Sequence, residues 1–180
     1  MLCVALACVP GMSAAQTFGS GVIGATNDPG FKFGKHGQDE SFVSGILSDG
    51  NAAVLLSKLA MEKASSTEVK ALATKILAVQ AGVGKQFADD SVMTGAKVPA
   101  GLNKKYKKVE EKLNGLSGEA FDREYLAQMV QLHHDTIDQL RGELNASANT
   151  MLRDDASNAL RDNEALAGEI KALAEKMGAQ

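Results

Sequence analysis

The chain has 180 residues, 22 acidic side chains against 19 basic ones, 44% hydrophobic residues and 4% aromatic. That length suits one domain with a real core, and a net charge of -3 argues against a nucleic-acid binder, whose phosphate contacts need a basic surplus. No run of about 18 apolar residues is present, so no transmembrane helix is expected, and an aromatic-poor composition with three prolines leans toward helices.

Residues 1–15, MLCVALACVPGMSAA, are apolar and small and end in Ser13-Ala14-Ala15. They read as the apolar region and cleavage site of a secretory signal peptide, although no Lys or Arg precedes the run, so the true start could lie upstream. The expected location is therefore the periplasm or cell envelope. Cys3 and Cys8, the only cysteines, lie inside this segment, which leaves the mature chain without a disulfide, a thiol nucleophile or a thiolate ligand. Lipidation at Cys8 is a poorer fit, because Ala5-Leu6-Ala7 is a weak lead-in.

Residues 16–38 carry six glycines and the turn signal Asn27-Asp28-Pro29-Gly30, the pattern of a flexible linker, with His36 as a solvated loop residue. From Asp39 the period becomes helical, and residues 39–178 form the expected folded domain. Helix one, about 40–63, carries the stripe Phe42, Ile46, Ala53, Leu56 and Ala60. Ser65-x-x-Glu68 reads as a capping box that opens helix two. Its stripe is Val69, Leu72, Ala73, Ile76, Gln80, Val83 and Phe87, and it ends before Gly95. A long connection follows, with Pro99 and a short helical piece around 102–114. Helix three starts at Ser117-Gly118-Glu119 on the stripe Phe121, Tyr125, Met129, Leu132, His133, Thr136, Leu140 and Leu144. Helix four, about 149–177, uses Leu152, Ala156, Ala159, Asn163, Leu166, Ile170, Leu173 and Met177. No segment has a strand period. Two short connections imply antiparallel hairpins, and the link of roughly 25 residues between them is long enough to cross over. The expectation is all-α: a ferritin-like four-helix bundle with a long crossover between helices two and three.

Ala81-Gly82-Val83-Gly84-Lys85 resembles the end of a phosphate-binding loop but fails as one. Val79 stands where the first glycine belongs, Gln86 replaces the Ser or Thr, and the segment lies within a helical stripe. Lys104, Lys105, Lys107 and Lys108 form a charge run that reads first as a solvated face balanced by Glu110 and Glu111, and second as a weak contact to an anionic envelope surface. Asn145-Ala146-Ser147 fits a glycosylation pattern but falls at a helix turn. No nucleophile stands beside a base in a recognisable context, and the carboxylates lie mostly on polar helix faces. No enzyme activity and no cofactor are expected.

Three polar residues interrupt the apolar stripes: Gln80, His133 and Asn163, each near the midpoint of its helix. Midpoints of bundle helices meet at one level, so these residues should form a polar layer, with Ala53 and Leu55 brought there by helix one. A buried amide or imidazole without partners costs a few kcal/mol, so the three should satisfy one another or hold water.

The segment Phe121-Asp122-Arg123-x-Tyr125-Leu126-x-x-Met129-Val130-x-x-His133 resembles the third-helix motif of the Domain of Unknown Function 4142 family. Phe42-Val43, Ser57-Lys58-Leu59-Ala60, Glu68-Val69-Lys70-x-Leu72-Ala73 and Leu116-Ser117-Gly118 follow in the expected order, and the resemblance covers about 40–178. It implies an exported bacterial protein, of a kind often labelled outer-membrane, with a ferritin-like four-helix bundle. The family pattern has a Glu in helix one and a His in each of helices two, three and four. Carried onto this chain, those positions are Ala53 or Leu55, Gln80, His133 and Asn163, and only His133 keeps the ligand type. Leu is no ligand and amides are weak ones for transition metals, so the layer Leu55, Gln80, His133 and Asn163 reads as a degenerate metal site with His133 the one residual ligand. The expected function is a non-enzymatic exported helical protein. The alternatives are a residual divalent-metal binder, using His133 with His134 or a second subunit, and a surface-binding module working through the lysine run.

Overall fold

The computed structural model describes residues 36–179, which form five helices: α1 (His36–Lys63), α2 (Thr67–Thr94), α3 (Lys104–Asn114), α4 (Gly118–Ala146) and α5 (Thr150–Lys176). No strand occurs among the described residues. The expected third and fourth helices are α4 and α5. The signal segment 1–15, Cys3, Cys8 and residues 16–35 of the expected linker lie outside the described residues.

Helix α1 starts at His36, four residues before the expected boundary, so 36–38 are helix rather than linker. Ser41 Oγ donates to Gly37 O at 2.7 Å. Asp39, in the first turn, is buried and accepts from Ser147 Oγ at 3.3 Å. A carboxylate there complements the helix dipole, and its tertiary partner lies far away in sequence, beyond the reach of a local reading. Helix α2 is capped by Ser66 rather than Ser65: Ser66 Oγ accepts from Val69 N at 3.4 Å and donates to Glu68 Oε2 at 2.8 Å. Ser65 is drawn away by Asp122 of α4. Both Ser65 N and Ser65 Oγ donate to that carboxylate, as does Ser66 N at 2.8 Å. The helix ends where Gly95 adopts φ 77°, the left-handed conformation that glycine takes without strain.

Cross-helix contacts give the helix directions. Ser57 meets Tyr125, Asp49 meets Gln139 and Asp39 meets Ser147, so α1 and α4 run antiparallel. Glu68–Lys176, Lys75–Glu169 and Gln86–Asp155 make α2 and α5 antiparallel as well. The short connections make α1–α2 and α4–α5 antiparallel hairpins. Segment 95–117 climbs back along α1, with Asn103 bonded to Ser48 and the last carbonyls of α3 accepting from Lys63 Nζ at 3.1 and 2.6 Å.

The predicted stripes are the core. Every stripe position of helices one and two is buried; Leu144, Leu173 and Met177 of the later helices are half-buried. The apolar interior falls into two clusters. One gathers Leu56, Ile76, Phe121, Tyr125, Met129 and Leu166, and the other Phe42, Ile46, Phe87, Leu140 and Leu152. Each fully buried large side chain, such as Phe87 or Leu56, contributes about 2 kcal/mol of burial free energy. Gln80, His133, Thr136 and Asn163 lie between the two clusters along the chain, so the polar level divides the core in two.

Candidate functional site

The layer is built from the middle turns of α2, α4 and α5. His133 is fully enclosed, and Asn163 is 1% exposed. Asn163 Nδ2 donates to Ala159 O at 2.8 Å, which fixes its carboxamide with Oδ1 turned toward the imidazole. His133 Nδ1 lies 3.0 Å from that oxygen. A carbonyl oxygen only accepts, so Nδ1 carries the proton and Nε2 keeps its lone pair. Nε2 is buried and has no partner. Burial holds the imidazole pKa down at about 4, opposed by the Asn163 bond, so the ring is neutral at physiological pH. A proton fixed on one ring nitrogen by an outer oxygen, with the other nitrogen free, is the posture of a metal-ligating histidine.

The remaining positions do not complete it. Gln80 is buried but turns toward α1, where its Oε1 lies 3.1 Å from the place a Cβ on Gly50 would occupy. It makes no hydrogen bond to His133 or Asn163. The expected mutual satisfaction of three residues is thus made by two, and Gln80 forms part of a half-open apolar cavity with Ile46, Val54, Phe87 and Pro99. On α1, Ala53 is fully buried, whereas Leu55 is half-buried at the margin of the first cluster. Of the two helix-one positions, Ala53 is the one inside the core. His134 is exposed on the far face and lies 3.5 Å from Asp138, so it cannot join His133 within this chain. Among the described residues, no three His, Cys, Asp or Glu side chains come together to hold a metal ion.

Charge is more deeply buried than the sequence suggested. Asp39, Asp49, Asp90, Asp122 and Glu143 are buried, as exceptions to the other described carboxylates, which are exposed or half-buried. Asp49 accepts from Tyr106 Oη at 2.8 Å and from Gln139 Nε2 at 2.6 Å, tying α1 to α3 and α4. Burial raises its pKa against these two bonds. Glu143 is raised by burial and by neighbouring Asp39. Asp90 is pushed up to about 7 by burial and by Asp155 across the α2–α5 interface. A signal was available: each of these acids falls three or four residues from an apolar stripe member, on the stripe itself.

The lysine run is also differently balanced. Lys105 pairs with Asp135 of α4 at 2.7 Å and lies over the Tyr106 ring, and Lys112 pairs with Glu124 at 2.7 Å. Glu110 and Glu111 form no ion pair among the described residues. Lys104, Lys107 and Lys108 are exposed and unpaired there. Residues 81–85 lie in the interior of α2, as their place in a helical stripe implied. Among the described residues no helix is long and apolar enough to cross a membrane.

These features define an all-α protein with a buried histidine–asparagine level dividing its core. The Domain of Unknown Function 4142 (DUF4142) family matches residues 30–173, and the chain belongs to that family. No curated protein matches it. Among solved structures, it is similar to a DUF305 protein from Streptomyces coelicolor described as secreted, with TM-score 0.67 and 17% identity over 79% of this chain and 94% of that one. A DUF305 fragment from Deinococcus radiodurans gives TM-score 0.66 and 18% identity, covering 79% and 97%. CopM in its Cu(II)-bound form gives TM-score 0.64 and 20% identity, covering 77% and 96%. At these identities the likeness concerns the fold.

Proposed function

We propose that this chain is an exported, non-enzymatic helical protein of the cell envelope, with ferritin-like topology and a central metal level that has lost its ligands. The helix directions support the topology: up, down, a long crossover, down, up. Export is supported by the apolar start ending at Ser13-Ala14-Ala15 and by the secreted DUF305 neighbour. The observation that carries the reading of the level is His133, an enclosed, neutral imidazole whose Nε2 keeps a free lone pair with no hydrogen-bond partner. Complete enclosure also keeps a substrate from its imidazole. Exposed Lys104, Lys107 and Lys108 suit a weak contact with an anionic surface, with Lys105 shared between that surface and Asp135.

The test restores donors: Gln80→His with Asn163→His, alone and with Ala53→Glu added. Cobalt(II) titration followed by visible absorption should give stoichiometric binding in at least one variant, and little in the parent. Equal binding by parent and variants would make His133 a working ligand; binding by none would remove the layer as a former site. A second reading, in which the chain itself still binds metal, is supported by the copper- and silver-bound forms of CopM among its structural neighbours.

A further inference from the structure

A half-open cavity of about 210 Å³ lies between α1, α2 and the start of the crossover segment. Its walls are apolar: Ile46 and Leu47 of α1, Val83 and Phe87 of α2, and Val98 and Pro99 of the crossover. Its room comes from two helix-interior glycines that also line it, Gly50 on α1 and Gly84 on α2. Glycine weakens a helix interior, so each is a local cost that the packing of larger residues would have removed. A Cβ on Gly84 would meet nothing within 4 Å.

No charged side chain lines the cavity, and its polar side chains are Asn51 and Gln80. Gln80 is 5% exposed and makes no hydrogen bond with any described residue. Its Oε1 lies 3.1 Å from the place of a Cβ on Gly50, so the carboxamide reaches into the gap that this glycine leaves. A carboxamide so enclosed forfeits the hydrogen bonds that bulk water would give it, and a group that bonds it there is favoured. It offers both an acceptor and two donors. Val98 is 61% exposed, so apolar surface on the cavity wall remains in contact with solvent.

We infer that this cavity binds a small uncharged molecule, about the size of one ring, that carries a single hydroxyl group: a phenol or an alcohol of similar bulk. The walls favour an apolar body, and a lining without charge disfavours an ion, which would lose its hydration for nothing. Gln80 Oε1 accepts from the ligand hydroxyl, or Nε2 donates to its oxygen, and either bond sets the ligand's orientation. A buried apolar cavity of about 150 Å³ holds benzene, so this one takes a ring with a substituent and is too small for a nucleotide. The inference goes beyond the His133 level and does not depend on it.

The test titrates the full chain, labelled with nitrogen-15, with phenol and separately with toluene, which has the same ring and no hydroxyl. Phenol should shift the backbone amide signals of Gly50 and Gly84 and the side-chain amide of Gln80 saturably, with one dissociation constant. Gln80→Leu should weaken phenol about fivefold, the worth of one hydrogen bond, and leave toluene at least as tight. Gly84→Leu places a side chain in the cavity. It should abolish binding of both ligands and raise the urea unfolding midpoint, through helix propensity and burial. Gly82→Leu is the control: Gly82 is exposed on the same helix with nothing within 4 Å of its Cβ position, so binding should be unchanged. Circular dichroism checks that each variant is folded. Absence of a saturable shift at millimolar phenol would overturn the inference. So would phenol binding that survives Gly84→Leu, or that is the same in Gln80→Leu as in the parent.

Discussion

The His133–Asn163 pair makes a quantitative prediction about stability. Replacing His133 by Leu fills the space with apolar volume but strands Asn163 Oδ1 in a site 1% exposed to water. That stranded acceptor costs about 1–3 kcal/mol. Asn163→Leu keeps the branching at Cγ and strands the His133 Nδ1–H, at a similar cost. The double variant strands neither, so its cost should fall short of the sum of the single costs by about 2 kcal/mol. Urea unfolding followed by far-ultraviolet circular dichroism measures all four proteins.

The pH dependence adds a second arm. The folded pKa of His133 is lowered to about 4 from an ordinary 6.5. Between those values the unfolded chain binds a proton that the folded chain refuses. The stabilising contribution of neutral His133 is therefore whole above pH 6.5 and is lost as pH falls to about 4. A shift of that size corresponds to about 3 kcal/mol. Buried Asp49, Asp90 and Glu143, whose pKa values are raised, act with the opposite sign and favour the fold at low pH. They are common to parent and His133→Leu, so they cancel in the difference. Stability of the parent minus that of the variant should fall by about 3 kcal/mol from pH 6.5 to 4. Additive single costs together with identical pH slopes would refute the buried, neutral, Asn163-bonded histidine.

Asp122→Asn keeps the side-chain size but turns an NH2 group toward N–H donors at the turn between α1 and α2; it should cost about 3 kcal/mol, read by urea unfolding, and open the turn at Ser65–Ser66 to limited proteolysis. Glycine substitutions should split by environment. At Gly45 a Cβ would come 2.6 Å from Gln139 Oε1, and moving Gln139 breaks its bond to Asp49, so Gly45→Ala should destabilise by about 1 kcal/mol despite better helix propensity. At Gly82 nothing lies within 4 Å, and Gly82→Ala should stabilise by about 1 kcal/mol, both read as changes in unfolding midpoint.

The sequence by itself determined the helices, their buried stripes and the level at which Gln80, His133 and Asn163 sit. Periodicity carries that information, because a residue's position along a helix sets both its face and its height. The tertiary structure alone decided which of those residues touch. Height and face leave side-chain rotation open, and rotation put Asn163 on His133 while Gln80 turned to the space left by Gly50. The same limit explains the α2 cap. Ser65 and Ser66 are equivalent as local caps, and Asp122, 57 residues from Ser65, decides between them by claiming Ser65. It explains the environment of Asp90 as well, since only the antiparallel register of α5 sets Asp155 beside it. Contacts between helices are set by register and packing angle, which depend on every side chain in the core at once and leave no local trace in the chain.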